Sequence, residues 1–253
     1  MAYSKIEIKK DRVIKTSDPQ KMEIEIEKTL RAYEIGKKCG FFYVPRVFDY
    51  DKDKGVAVFE RIKEVNPVEN VLKWKDKRGL FIEKTGRALA VIHRELVLPG
   101  NMIIELPSEF RSPGTEVFIH GDFNARNVCV RSGSPPIIIL DWQTTYHHGG
   151  EATYGSRYFD LVWFINYMLW TLKPKEVIRN PINTVAKQFL HAYFKETEFL
   201  YDPDALVLYF KRFFETKLQT RYQHASWQRR YLSNSLTKWF MKSLQSIEND
   251  DSI

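Results

Sequence analysis

The chain has 253 residues, of which 43% are apolar and 28% charged, and it carries a net charge of +7. That is ordinary globular composition, long enough for one large domain or two lobes about a cleft. Two distant cysteines, Cys39 and Cys129, exclude a disulfide framework or a cysteine zinc site, and the absence of an apolar run behind the N-terminal charges or of any window of about 18 apolar residues argues against a leader or a membrane span, so a reducing, cytoplasmic setting is expected.

In chain order, "SKIEIKKDRVIKT" alternates apolar and polar residues on both sides of Lys10 and Asp11, which predicts a two-strand hairpin. Ser17, Asp18 and Pro19 offer a helix start, and Met22, Ile26, Leu30 and Tyr33 recur at helical spacing up to about Lys38. "YVPRVFDYDKDKGVAVFERI" reads as strand, turn, strand, so the first part is β-β-α-β-β to about Ile62. From Val71 the spacing turns helical, and a Pro, Gly and Ser-rich loop then covers roughly residues 98–115. Two short apolar strands, "EVFI" and "NVCV", read as a hairpin pair with a polar cluster in its loop; "SGSPP" is a turn and "IIILDW" a buried strand ending in an acid. From Arg157 onward the pattern is helical, ending in "SLTKWFMKSL" and an acidic tail at 248–251. A small β-rich part thus precedes a larger helical one.

The chemistry concentrates in "VFIHGDFNARNVCV" and "IIILDW". An aspartate at the tip of a buried strand is costly without a charged partner. Magnesium, which prefers oxygen ligands, is such a partner for Asp141, with the amide oxygen of Asn127 as a second ligand. Asp122 then stands free as the base for an attacking hydroxyl, the division of labour found in phosphoryl transfer by kinases. The neighbouring His147 and His148 read as a surface loop, because adjacent side chains rarely converge on one ion.

"HGDFNARN" followed by "IIILDW" closely resembles the catalytic loop and metal-binding strand of the aminoglycoside phosphotransferase and choline kinase families. Gly121 and Trp142 place the pattern on the small-molecule side of that superfamily. The resemblance implies an α+β, two-lobed protein-kinase-like fold, with an N-lobe over residues 1–64 and a helical C-lobe over 65–253. It implies ATP or GTP and Mg²⁺ as cofactors, Asp122 as catalytic base, Asn127 and Asp141 as metal ligands, and His120 and Asp160 as structural supports of the loop. It further implies that Lys15, two residues after Val13 on an early strand, reaches the phosphates, and that a glutamate on the next helix pairs with it. Glu27 is the candidate, with Glu23 the alternative on the same face. Adenine would lie against the backbone near Glu60 and Ile62. The sequence departs from the family in having no glycine-containing loop ahead of the strand that carries Lys15.

Between Val207 and Lys242 eight Lys or Arg stand against one acid, Glu215, which accounts for the whole net charge. If that segment faces the cleft, the acceptor is a hydroxylated small molecule of anionic character, such as an acidic sugar or glycan. The alternative is a nucleotide-binding regulator without catalysis, whose basic helices bind RNA or a protein; nucleic acid is not the favoured partner. A Ser/Thr protein kinase is a weaker reading, since Gly121 stands where those enzymes carry Arg.

Overall fold

The computed structural model describes residues 5–72, 78–145, 150–171 and 182–221, together with Lys238 and Met241. The expected histidine pair at 147 and 148, the acidic tail and most of the basic segment beyond residue 221 lie outside the described residues.

The first hairpin forms as its alternation predicts. Strands β1 (Lys5–Ile8) and β2 (Arg12–Thr16) pair antiparallel, and β2 pairs in turn with β5 (Val56–Glu60), which pairs with β4 (Val47–Asp51). Helix α1 (Pro19–Cys39) begins where Asp18 accepts the backbone N–H groups of Gln20 and Lys21, with proline in the first turn, and ends at Gly40 in the left-handed conformation. Met22 and Ile26 pack beneath the sheet against Ala57.

The rest of the inward face of α1 departs from the sequence expectation. Leu30 is exposed, while Glu25, Lys28, Thr29, Ala32 and Gly36 are buried. The helix therefore presents a polar and small-residue stripe to the larger half of the molecule, and apolar spacing alone misplaces its phase.

A short strand that the sequence does not announce, β3 (Phe42–Tyr43), runs parallel to β9 (Ile137–Ile139). It completes a second sheet in the order β3-β9-β8-β6, where β6 is Asn66–Pro67 and β8 is Val128–Val130. Strands β8 and β9 are buried throughout, as central strands with apolar runs should be. Helix α2 is the single turn Val68–Val71, followed by α3 (Arg78–Glu95), α4 (Tyr158–Thr171), α5 (Ile182–Glu196) and α6 (Pro203–Arg221).

The expected hairpin of "EVFI" with "NVCV" does not form. β7 (Glu116–Phe118) pairs with β10 (Tyr154–Ser156), whereas β8 pairs with β9. Both strands exist, but their partners lie further along the chain than the nearest apolar run. The polar cluster between them is consequently a crossing from one sheet to another, over the N-terminal end of α4.

Candidate active site

The crossing is built by its own side chains. Asn124 is buried; its Oδ1 accepts the backbone N–H groups of Arg126 and Asn127, and its Nδ2 donates to the carbonyl of Asp122. Gly121 has φ +84, and a Cβ there would collide with Thr144, so both conformation and space demand glycine.

Asp160, in the first turn of α4, is fully buried and anchors the loop. One carboxylate oxygen accepts the N–H of His120 at 2.7 Å and the ring Nε2–H of His93 at 3.0 Å; the other accepts the N–H of Gly121 at 2.9 Å. Burial alone would raise its pKa, but these donors outweigh it and hold the carboxyl below its ordinary value. His93 is kept neutral by burial, so its Nδ1 accepts from Tyr193 Oη at 2.8 Å. Sequence reasoning missed His93: nothing marks a lone histidine on a helix as the partner of an acid 67 residues away.

His120 is also buried, and its pKa is pulled down to about 4, chiefly by desolvation. In the neutral ring Nδ1 accepts the N–H of Asp122, leaving Nε2–H to donate to the carbonyl of Leu140 at 3.2 Å. It thus joins the loop to the residue preceding Asp141.

Asp122 is held on both carboxylate oxygens. Trp163 Nε1 donates to Oδ1 at 2.7 Å, and Asn127 Nδ2 donates to Oδ2 at 2.8 Å. Burial, reinforced by the charge of Asp141, raises its pKa to about 7 despite these donors. Trp163 is a second contact that the sequence hides, since it reads there as one apolar residue in a buried helix.

Asp141 has φ 56, an uncommon conformation for a residue with a side chain and one found where surrounding structure over-determines the backbone. Its side chain is 44% exposed and accepts from Lys15 Nζ at 2.7 Å. The same ammonium donates to Glu25 at 2.8 Å. Burial disfavours the Lys15 charge, but Glu25 and Asp141 outweigh it and raise its pKa.

The helix glutamate that meets Lys15 is therefore Glu25, not Glu27 or Glu23. Glu27 pairs with Arg31 on its own helix, and Glu23 pairs with Lys52. The correction follows from the phase of α1: the buried stripe runs through residue 25, half a turn from the face that carries 23 and 27.

Lys15, Glu25, Asn127 and Asp141 line one cavity of about 330 Å³, roofed by Ile6 and Ile8 of β1. Val13, Glu60 and Ile62 line it as well. The Glu60 side chain is engaged by Tyr43 and Arg46, and its N–H bonds to the Arg46 carbonyl, so neither group is free to meet a base. For a cation the donors are all oxygen: Asp141 offers a part-exposed carboxylate, and Asn127, with its amide nitrogen committed to Asp122, offers the amide oxygen. Among the described residues no three His, Cys, Asp or Glu cluster as a metal site. A magnesium ion here would accordingly depend on phosphate and water oxygens for the rest of its shell, which suits that ion.

Residues 101–207 match the family model described as phosphotransferase enzyme family. No curated protein sequence matches the chain. Among solved structures, a glucosamine kinase in complex with glucosamine, ADP and inorganic phosphate superimposes with TM-score 0.64 at 14% identity, over 96% of this chain and 81% of that one. The chain has a protein-kinase-like fold. A choline/ethanolamine kinase family protein from Mesorhizobium loti aligns with TM-score 0.56 at 14% identity, covering 95% of this chain and 87% of that chain. The GDP complex of aminoglycoside 2'-phosphotransferase-IIIa aligns with TM-score 0.56 at 12% identity, covering 94% and 89%. The resemblance read from "HGDFNARN" and "IIILDW" is borne out by these matches. Among the described residues no helix is long and apolar enough to cross a membrane.

Proposed function

We propose that the chain transfers the γ-phosphoryl group of ATP or GTP to a hydroxyl of a small molecule. The observation that carries this reading is the convergence of Lys15, Asn127 and Asp141 on one cavity, with Asp122 hydrogen-bonded to Asn127 at its edge.

Lys15, fixed by Glu25, positions the nucleotide phosphates. Asp122 accepts a hydrogen bond from the acceptor hydroxyl and takes its proton as the oxygen attacks phosphorus. Trp163 and Asn127 each hold one carboxylate oxygen, so the base keeps one orientation while the hydroxyl approaches. Asn127 and Asp141 would hold Mg²⁺, which neutralises charge on the phosphates when bound. The division between an N-lobe to residue 64 and a C-lobe beyond it places the nucleotide between the two. Glucosamine, aminoglycosides and choline or ethanolamine name the acceptor classes of the similar structures, and a hydroxylated small molecule is the corresponding class here. Anionic character of that acceptor rests on the charge count alone: of the basic segment, Lys211, Arg212 and Lys238 are exposed, and Arg212 donates to the Arg111 carbonyl.

The test is ADP release with ATP and Mg²⁺ over a panel of amino sugars, acidic sugars and amino alcohols, alongside thermal shift with nucleotide. The expected outcome is a rise in melting temperature with millimolar ATP–Mg and stimulated ADP release by at least one hydroxylated acceptor. No shift and no release would overturn the reading. No observation favours the alternative of an inert nucleotide-binding regulator.

A further inference from the structure

Besides Lys15 on β2, a second buried cation stands on helix α1, one turn beyond Glu25. Lys28 has no exposed surface, and its Nζ donates to the carbonyl of His120 at 2.6 Å and lies 3.4 Å from Thr144 Oγ1. No carboxylate forms an ion pair with it among the described residues; Asp160, Glu25, Asp122 and Asp141 act on it only at longer range. Burial pulls its pKa down to about 8 in spite of those four charges. An ammonium in that position is a cost to folding, and an apolar side chain of equal length is often no worse for stability.

Its two contacts are the ones that shape the catalytic loop. The His120 carbonyl begins the peptide leading into Gly121 and Asp122. Thr144 is the residue against which Gly121 packs, and its hydroxyl donates onward to the Ala152 carbonyl. The loop is therefore gripped from two sides: Asp160 takes its N–H groups from α4, and Lys28 takes its carbonyl from α1. The same face of α1 carries Glu25, which fixes Lys15.

We propose that Lys28 is a positioning residue that ties the His120–Asp122 peptide to the helix holding the phosphate-binding lysine, so that base and lysine keep a single relative geometry. The catalytic consequence rests on the phosphotransferase reading; the structural link does not.

The experiment compares wild type with Lys28→Met, close in length and neutral, by melting temperature, nucleotide Kd, turnover and amide hydrogen exchange. The expected result is a melting temperature within about 4 °C of wild type, nucleotide Kd within about threefold, kcat lowered about tenfold or more, and exchange in residues 120–127 faster by about tenfold while β8 and β9 stay at wild-type rates. Wild-type kcat and loop exchange in the variant would overturn the proposal. So would a lowered melting temperature with faster exchange across the whole chain, which is the signature of a packing role alone. Should Lys28→Met fail to fold, Lys28→Gln, polar but one atom too short to reach His120, is judged by the same criteria. If wild type transfers phosphate to no acceptor, the functional reading falls, and the exchange comparison still decides the role of Lys28.

Discussion

Asp160→Asn isolates the anchor of the loop that carries His120, Gly121 and Asp122. The carboxylate accepts three donors on two oxygens: the N–H groups of His120 and Gly121 and the ring N–H of His93. An asparagine can serve at most the donors on its single oxygen, and its NH₂ group then faces a donor where an acceptor was. One buried N–H is orphaned, and the remaining bonds lose their charge assistance. Orphaning a buried donor costs about 1–3 kcal/mol, and downgrading the other bonds adds about 1–2 kcal/mol, for a total of about 2–5 kcal/mol. For a chain of this size that corresponds to a melting temperature lower by about 4–20 °C. Differential scanning fluorimetry at pH 7.5 without nucleotide measures it directly, with Glu27→Gln, a partly exposed helix pair, as the control. A loss below about 3 °C, or one no larger than the control's, would show that Asp160 does not hold the loop in the way its contacts imply.

Glu25→Gln is expected to weaken nucleotide binding about tenfold, the scale of one charge-assisted hydrogen bond, while Glu27→Gln leaves it unchanged; equal titration curves for the two would refute the assignment of Glu25. Asp141→Ala is expected to abolish the Mg²⁺-dependent part of the thermal shift with ATP, and retention of that shift would remove Asp141 from the metal site. Asp122→Asn is expected to keep nucleotide binding and to lose turnover by about a hundredfold. In metal-free buffer the melting temperature of wild type relative to this variant should also shift with pH, because the variant has no carboxyl to titrate at this position. Asp122 has a folded pKa of about 7, above its ordinary carboxylate value, so the wild type takes up its proton in the folded state as pH falls from about 7 toward 4 and regains that stability. Wild type should therefore gain in melting temperature relative to the variant between pH 8 and pH 5, and a difference that is constant with pH would contradict the raised pKa.

Much of the architecture is legible in the sequence because local rules coincide with the final structure. The alternation in "KIEI" and "RVIKT" gives a hairpin, Asp18 and Pro19 start a helix, and "III" is a strand buried on both faces. Asp122, Asn127 and Asp141 stand out because polar groups between apolar strands must be placed for a reason, and all three reach the neighbourhood of one cavity. What stays hidden is long-range or contrary to hydropathy. The inward stripe of α1 runs through Glu25, Lys28 and Thr29, residues that any apolar-periodicity argument assigns to solvent, so the wrong glutamate is chosen. The pairing of β7 with β10 joins segments too short and too far apart to carry a register signal. His93 and Trp163 look like ordinary helix residues until the chain folds and their ring nitrogens meet Asp160 and Asp122.

The parallel pairing of Phe42–Tyr43 with Ile137–Ile138 bears on how the two halves are joined. The segment leaving the C-terminus of α1 is stitched to β9, which ends two residues before Asp141. The four-stranded sheet of β1, β2, β5 and β4 is held to the same helix by Met22 and Ile26 against Ala57 and by the Lys15–Glu25 ion pair, so α1 is bonded to both halves. The helix is thereby a splint across the two sheets, and whatever loosens it is felt on both walls of the cavity.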